Sequence, residues 1–365
     1  MNPFSATVAV ALLAVSSSAF ATTTINNEID EFYVGVRSQG MGGTYVNVVN
    51  DETAILTNPA GLGKLRDYTF TLVDPEFDGS FNDTDIVNIS NFTDAVSMQG
   101  LLDKLNTAKG KNWHAKAQLF PSFVAPNFGI GLLSKFQYNA SVDPTGTTYR
   151  FDYVNDWAIG LAYNFRADGG IVKFGVAGRL INRAEVHKDI PANSTGLELN
   201  AFKAEGMGLA ADFGLVLTAP IAGLPALGIS VRDAGNTSYN LREGMFNATA
   251  NRPVDTEQSV DVALSAQPIL GNRARGTFTI EYHGVTTPVK EDQEDFIKRT
   301  HAGFEVNFSD FAFLRVGANQ GYWTGGIEFA TERFQLQAAS YGEEIGLPNA
   351  KKEDRRWVGK FAVRF

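Results

Sequence analysis

Along most of the chain, large apolar residues alternate with small, polar or charged residues over runs of about ten positions. In residues 128–138, Phe128 and Ile130 lie on one side of a predicted strand, and Gly129 and Lys135 lie on the other. Strict alternation indicates a β-strand with one apolar face, and roughly ten residues is the length that a tilted strand needs to cross a bilayer. Alternation alone does not distinguish a membrane barrel from a soluble antiparallel sheet with one solvated face.

The lengths of the links between strands favour the membrane barrel. We predict fourteen strands, near residues 68–73, 114–124, 128–138, 156–165, 171–182, 208–218, 227–233, 259–267, 276–283, 300–308, 311–319, 321–329, 333–341 and 355–365. Long and short links alternate almost throughout, and the long ones are 74–113, 139–155, 183–207, 234–258, 284–299 and 342–354. The one exception to this alternation is a tight turn at Gln320. Short turns at one rim, long loops at the other and an even strand number are typical of bacterial outer-membrane barrels. We therefore predict an all-β fold, a transmembrane antiparallel β-barrel of about 14 strands.

Within the first long link, residues 92–107 have the spacing of a short amphipathic helix, because Phe92, Leu101 and Leu105 recur at helical intervals. Two interpretations of this helix stay open. It packs as a lid over the rim of the barrel, or it lines an apolar groove where a hydrophobic ligand first lands.

The last predicted strand has an apolar face and a basic face. The apolar face carries Trp357, Phe361, Val363 and Phe365, and the other face carries Lys360 and Arg364. A terminal aromatic residue on such a strand resembles the signal that the barrel assembly machinery reads. The same strand has to pair with the first strand, since closure is what removes the open edges of a barrel.

The amino-terminal residues 1–21 read as a secretory signal peptide. Val8 to Val15 form an apolar core, and Ala19-Phe20-Ala21 has the small-x-small pattern of a cleavage site, although no Lys or Arg precedes the core. We expect cleavage after Ala21. Beyond this segment no run approaches the roughly 18 apolar residues that a membrane-spanning helix needs.

The segment that follows has neither a strand period nor a helix period. Residues 37–62 read RSQGMGGTYVNVVNDETAILTNPAGL and are interrupted by several glycines and by Pro59. Irregular backbone is stable at membrane depth only where protein or a water-filled cavity surrounds it. We therefore predict that residues 22–66 form a plug inside a barrel made by residues 67–365.

This segment also carries a specific family resemblance. R-S-x-x-M-G-G followed by N-P-A-G-L is similar to the N-terminal hatch of the FadL-like outer-membrane transporters, and the match covers about 26 residues. The hatch residues that the resemblance implies are Gly40, Met41, Gly42, Gly43, Asn58, Pro59 and Ala60. It also implies that Asn58 anchors the hatch to the barrel wall by hydrogen bonds.

The resemblance implies a function as well. A member of this family would be a monomer in the bacterial outer membrane, surrounded by its lipids, and would pass long-chain fatty acids or other hydrophobic molecules inward through an apolar internal pocket. PorV-like proteins share the same opening motif but bind secreted or envelope proteins, so a scaffold is the alternative. A third possibility is a structural protein with a permanent plug.

Composition and charge exclude several other functions. The net charge of −9 provides no basic field for nucleic acid, and the mean hydropathy of −0.11 is expected where lipid-facing and lumen-facing residues alternate. The chain has no cysteine, which removes a lipoprotein anchor, a disulfide scaffold and thiol chemistry.

Catalytic and cofactor motifs are not found. The four histidines form no HExxH motif, and GxSxG, P-loop and dinucleotide-binding patterns are absent from the sequence. His114 and Ser122 are the residues considered for lipase-type chemistry, but nothing singles them out, and we predict no enzyme, no metal site and no cofactor. Charged residues at predicted lumen positions are expected to pair with one another and hold the plug; they are Lys135, Lys173, Arg179, Asp212, Glu281, Glu305, Arg315 and Arg364.

Overall fold

The computed structural model of the protein describes residues 27–80, 110, 112–143, 145–191, 203–246, 251–289 and 294–365. The predicted signal peptide and the predicted helix at residues 92–107 lie outside these ranges. No helix in the described ranges is long and apolar enough to cross a membrane.

The described residues form one antiparallel sheet that closes into a barrel of fourteen strands. The first two strands have two segments each: β1 comprises Thr69–Val73 and Glu76–Ser80, and β2 comprises Asn112–Leu119 and Ser122–Ala125. The others are β3 Phe128–Val142, β4 Thr148–Ala167, β5 Val172–Pro191, β6 Ala204–Thr218, β7 Ala226–Arg232, β8 Ser259–Ala266, β9 Ala274–Tyr282, β10 Thr300–Phe308, β11 Ala312–Asn319, β12 Tyr322–Ala330, β13 Phe334–Glu344 and β14 Glu353–Arg364. Two short segments, Arg242–Glu243 and Ile269–Gly271, lie in the links on either side of β8. The predicted number and order of strands are confirmed.

The barrel closes between its last strand and its first. Strand β14 pairs with both segments of β1, and the backbone N–H groups of Phe70 and Phe365 each donate to the other residue's carbonyl at 2.9 Å. Trp357 and Phe361 are exposed on the outside while Lys360 is buried on the inside, as the alternation predicts. The role of the terminal Phe365 in barrel assembly stays a prediction.

The two faces of the wall differ sharply in chemistry. Along β4, Ile159 and Leu161 are about half exposed on the outside, whereas Ala158 and Gly160 are buried on the inside. Equivalent positions on the other strands repeat this arrangement and give the barrel a continuous outer apolar surface. An apolar outer band around a polar interior is the organisation of a transmembrane barrel.

The rims follow the predicted pattern of links, with three corrections. The tight turn between β11 and β12 is present, and Gln320 and Gly321 both have positive φ as a two-residue hairpin turn requires. The predicted long link at 139–155 is wrong, because β3 continues to Val142 and β4 begins at Thr148. Two further predicted links are partly strand: Glu76–Ser80 belongs to the predicted link 74–113, and β5 continues to Pro191 into the predicted link 183–207. At the start of β4, Tyr149, Phe151 and Tyr153 alternate with Arg150 and Asp152, so the sequence carries a strand signal here that the prediction misses.

Candidate functional site

Residues 27–65, called the plug below, cross the interior of the barrel from rim to rim. At the long-loop rim the N–H of Asn27 donates to the carbonyl of Ile345, and at the short-turn rim the N–H of Asn127 donates to the carbonyl of Leu62. The plug contains one helical turn, α1 (Val36–Gly40), and two 3-10 helices, Glu52–Ile55 and Pro59–Lys64. Two thirds of its residues are buried, and only Asp30 and Asn50 are exposed. The predicted domain boundaries at residues 21 and 66 stay predictions.

The plug contacts the wall most closely at inward-facing glycines, which we call the seat glycines. They are Gly129, Gly160, Gly175, Gly214, Gly228, Gly303, Gly317 and Gly326, and they lie on β3, β4, β5, β6, β7, β10, β11 and β12. A Cβ atom added at Gly175 would lie well inside 3.0 Å of the backbone at Pro59 and Ala60. Each seat glycine therefore admits the plug at a distance that a side chain would prevent.

The Asn-Pro-Ala motif lies deep in the barrel at the start of the last 3-10 helix. The side-chain Oδ1 of Asn58 accepts a hydrogen bond from the N–H of Ala60 at 3.1 Å, and Pro59 occupies the first helical position. The side-chain Nδ2 of Asn58 donates to the carbonyl of Val46 at 2.6 Å. The expected role of Asn58 as a hydrogen-bonding anchor to the wall is therefore wrong. These bonds join two parts of the plug, because the side chain faces Gly214, which offers no polar side chain.

The Gly40-Met41-Gly42-Gly43 segment forms a tight turn against β10, β11 and β12. Gly42 and Gly43 have φ values of +75° and +83°, which favour glycine. His301 forms a hydrogen bond from its ring Nδ1 to the Gly42 carbonyl at 2.9 Å. The hydroxyl of Thr324 donates to the Gly40 carbonyl at 3.1 Å. This turn, unlike Asn58, is held by hydrogen bonds from the wall.

One wall carboxylate binds three consecutive amides of the plug. Glu281 on β9 accepts hydrogen bonds from the N–H groups of Tyr45 at 2.9 Å, Val46 at 3.1 Å and Asn47 at 3.5 Å. Successive backbone N–H groups that converge on one anion form a nest. The sequence identifies Glu281 as a lumen charge, but not its partners, because a nest depends on backbone conformation.

Ion pairs also join the plug to the wall. Arg37 donates two hydrogen bonds to Glu305 at 2.9 and 2.7 Å, and Arg315 donates to the same carboxylate at 2.7 Å. Glu52 lies 3.2 Å from the ammonium of Lys360 and 3.0 Å from the guanidinium of Arg364. Within the wall, Lys135 pairs with Asp156 and Arg179 pairs with Asp212. The Lys173 ammonium instead donates to the Gly170 carbonyl near the short-turn rim. Apart from Lys173, the charged lumen positions form the paired network that the sequence predicts.

On its other side the plug is apolar. Ile55, Leu56 and Leu62 are buried with Leu133 and Ala158 of the wall in one hydrophobic cluster. The plug is thus held by apolar packing toward β2–β6 and mainly by charged groups toward β7–β14.

A cavity of about 80 Å³ remains between the amino-terminal part of the plug and the wall. Apolar and polar side chains both line it, and the polar ones include Glu28, Glu31, Lys116, His283 and Arg356. A space of this size and polarity suits a few water molecules. The expectation of an apolar internal pocket is not met by this cavity, because charged side chains that hold the plug also line it.

The residues considered for hydrolysis do not meet. His114 and Ser122 lie on β2 eight positions apart, which corresponds to roughly 26 Å along a strand. His114 instead forms a hydrogen bond from its ring Nδ1 to Asn139 Oδ1 at 2.6 Å.

The fold and this site define an outer-membrane-type β-barrel whose lumen holds its own amino-terminal segment. Three solved structures with this fold are similar to the chain. The CymD monoaromatic hydrocarbon channel has a TM-score of 0.54 at 10% identity and covers 91% of this chain and 97% of its own. A deltaS2 mutant of the TodX monoaromatic hydrocarbon channel scores 0.53 at 16% identity with the same two coverages. The Ralstonia pickettii toluene transporter TbuX scores 0.50 at 12% identity and covers 91% of this chain and 98% of its own.

These channels support the FadL-like resemblance at the level of the fold. No protein-family profile and no curated protein matches the sequence.

Replacing Gly175 by Ala should displace the Asn-Pro-Ala turn, because the new methyl group would clash with plug backbone that has no free end to move. We expect a loss of about 1–3 kcal/mol, the usual cost of overpacking. The measurement is the apparent unfolding temperature together with the rate of trypsin cleavage at Arg37. Gly178 on the same strand faces outward with nothing within 4 Å of an added Cβ, so Gly178→Ala is the control. Equal unfolding temperatures and equal cleavage rates for the two variants would contradict the close contact between Gly175 and the plug.

Replacing Glu52 by Gln should destabilise the protein in a pH-dependent way. Burial raises the pKa of Glu52, but Arg364 and Lys360 lower it more, so that the pKa falls from its usual range to about 2. A carboxyl group with a lowered folded-state pKa stabilises the fold above its unfolded pKa, and this contribution is lost as the pH falls toward the folded value. The penalty should be on the order of 3 kcal/mol at pH 7 and should shrink between about pH 4.5 and pH 2.

The measurement is the difference in apparent unfolding temperature between the variant and the parent protein at several pH values. Glu332→Gln, at an exposed position in a short turn, is the control and should show no penalty. A Glu52→Gln penalty that stays constant down to pH 2 would contradict the ion pairs.

Proposed function

We propose that the protein resides in the bacterial outer membrane and passes hydrophobic small molecules inward without an energy source. The observation that carries this proposal is a plug that crosses the barrel and is docked against the wall on most of its circumference. Such a barrel is not an open aqueous pore. The named channels of the same fold, described as monoaromatic hydrocarbon channels and as a toluene transporter, support a hydrophobic substrate.

The protein part of this mechanism is transfer of an apolar solute between environments, and it requires no catalytic group. Each CH₂ group that leaves water contributes roughly 0.8 kcal/mol, so an apolar surface on the protein concentrates such solutes. The proposed processing removes residues 1–21, residues 22–66 act as the gate, and residues 67–365 form the barrel. The FadL-like resemblance favours long-chain fatty acids, and the fold relatives favour smaller aromatic hydrocarbons.

An aromatic cluster is buried near the long-loop rim. Trp113, Val142, Tyr149, Phe151 and Val186 belong to it and lie on strands β2–β5. The rings of Tyr138 and Phe151 are 5.1 Å apart and edge to face. These side chains are buried, so the cluster packs the outer ends of the strands and does not present an open surface to a solute.

The scaffold alternative is favoured by a different aspect of the same plug. Seat glycines on eight strands and ion pairs on several others are what a permanently closed barrel would also use. The two functions differ in one respect: a channel needs the plug to move, and a scaffold needs it to stay.

A reversible disulfide between plug and wall separates these functions. A Cβ built at Gly40 lies 3.5 Å from the Cβ of Ala339 on β13, within the range of a disulfide, and the chain has no native cysteine. The Gly40→Cys/Ala339→Cys protein is expressed in a host that lacks its own channel for these solutes. Uptake of radiolabelled oleate and toluene is measured with and without a reductant.

We expect the reduced protein and the parent protein to raise uptake at least severalfold above the empty host. The oxidised double variant should lose this gain, while each single variant keeps it under the same oxidant. If the parent protein gives no gain, transport is contradicted, and a protein partner that copurifies would then favour the scaffold. Equal uptake by the oxidised and reduced double variant would contradict plug movement.

A further inference from the structure

The link between β7 and β8 contains a segment, residues 241–246, that crosses the rim and lies against the outside of the wall; we call it the clasp. Its residues Arg242 and Glu243 pair with Met207 and Gly206 of β6. The N–H of Leu241 donates to the Met207 carbonyl at 3.0 Å. The clasp thereby extends the sheet at the long-loop rim, beyond the last paired residue of β7.

The clasp covers two polar side chains on the outward-facing side of the wall. Asn182 on β5 has the same orientation as the exposed Leu180, and Glu205 on β6 has the same orientation as the exposed Leu209. Both polar residues are nevertheless at most 1% exposed. The N–H of Met245 donates to Asn182 Oδ1 at 2.9 Å.

A second backbone hydrogen bond from the clasp reaches Glu205. The N–H of Phe246 donates to Glu205 Oε1 at 3.0 Å, and the Asn182 amide donates to the same oxygen at 3.0 Å. Polar groups that would otherwise face hydrocarbon are expensive unless they are paired. The backbone of the clasp supplies part of this pairing, and the Lys203 ammonium lies 3.7 Å from the other oxygen of Glu205.

The apolar side chains of the clasp are exposed. Leu241, Met245 and Phe246 are 63%, 64% and 59% exposed. The ring of Phe246 lies 6.1 Å from the ring of Trp157 on β4. Trp157, Asn182, Met207 and Arg242 are successive partners across the sheet, which places the clasp at the level of Trp157.

Trp157 ends the exposed apolar row of β4 on the long-loop side, where tryptophan in membrane barrels marks the boundary between hydrocarbon and water. Arg242 lies on the same face as its partner Met207, so the adjacent Leu241 lies on the opposite, inward face. We infer that the clasp is a lipid-binding element: Met245 and Phe246 insert into the outer boundary of the bilayer beside Trp157. The apolar belt of the barrel is continuous with this surface through the exposed Leu209. The inference rests on the membrane location in the proposed function.

The same link provides a natural contrast. Val254 is 70% exposed, but its N–H donates at 2.7 Å to Glu185 Oε1, which lies on the inward-facing side of β5. Its side chain therefore belongs to the aqueous mouth of the barrel. Within this one link, the wall residue that binds the backbone determines whether an exposed apolar side chain faces lipid or water.

Single-cysteine labelling tests this division, because the parent chain has no cysteine. Phe246→Cys, Val254→Cys and Leu209→Cys proteins are labelled with bimane and placed in phosphatidylcholine vesicles with or without brominated acyl chains. The two link substitutions keep the backbone N–H groups that hold the link. We expect bromine to quench the label at Phe246 at least half as strongly as at Leu209, and to leave the label at Val254 within about a tenth of its unquenched intensity. Aqueous iodide should give the opposite order.

The outcomes distinguish the inference from the function on which it rests. A label at Leu209 that bromine does not quench would show that the barrel is not in the bilayer, so the proposed location itself fails. Quenching at Leu209 with a label at Phe246 that behaves like the one at Val254 would overturn only the clasp inference. Disulfide dimers of the unlabelled Phe246→Cys protein without lipid quenching would assign this surface to a second copy of the chain and would also overturn it.

Discussion

The backbone of the plug approaches the barrel wall as closely as atoms allow, and it does so where the wall strands carry glycine. Around the lumen, Gly175 faces Pro59 and Ala60, Gly228 faces Asn47, and Gly303 faces Met41. A methyl group at any of these positions would overlap with plug atoms. The shape of the plug therefore depends on the placement of glycines in eight strands. The other contacts between plug and wall form only where these glycines let the plug fit.

The second requirement is that irregular backbone in the lumen finds hydrogen-bond partners. Wall side chains meet it at several points, among them Glu281 under the amides of residues 45–47 and His301 at the Gly42 carbonyl. Buried ion pairs such as Arg37–Glu305 add orientation, although desolvation offsets much of their attraction. Removing one partner of a buried ion pair is costly, because the other charge stays buried without a partner. These pairs therefore fix a single position of the plug more than they raise the stability of the protein.

Much of the barrel could be predicted from the sequence because a strand with lipid on one side and a polar lumen on the other has to alternate. This argument identifies the faces of β3 and β14. The alternation also continues at the outer end of β4, in Tyr149, Phe151 and Tyr153, where the prediction of a loop is wrong. A different signal marks Gly40 to Gly43: three glycines in four residues favour a turn, because glycine readily adopts a positive φ. Neither signal reveals the partners of Asn58 or Glu281, which depend on how two distant segments meet. The covered polar residues Asn182 and Glu205 interrupt the outward pattern, and this interruption is a signal of the clasp that sequence reasoning missed.

Hydrogen–deuterium exchange of the backbone amides of residues 36–65, in the protein reconstituted in lipid vesicles, tests most directly whether the plug is docked against the wall. We expect the amides of Tyr45, Val46 and Ala60 to exchange as slowly as those in the middle of the barrel strands, because each is buried and bonded. Exchange of these amides within seconds, at the rate of free loops, while the strands remain protected, would contradict a plug held by the seat glycines and the lumen charges.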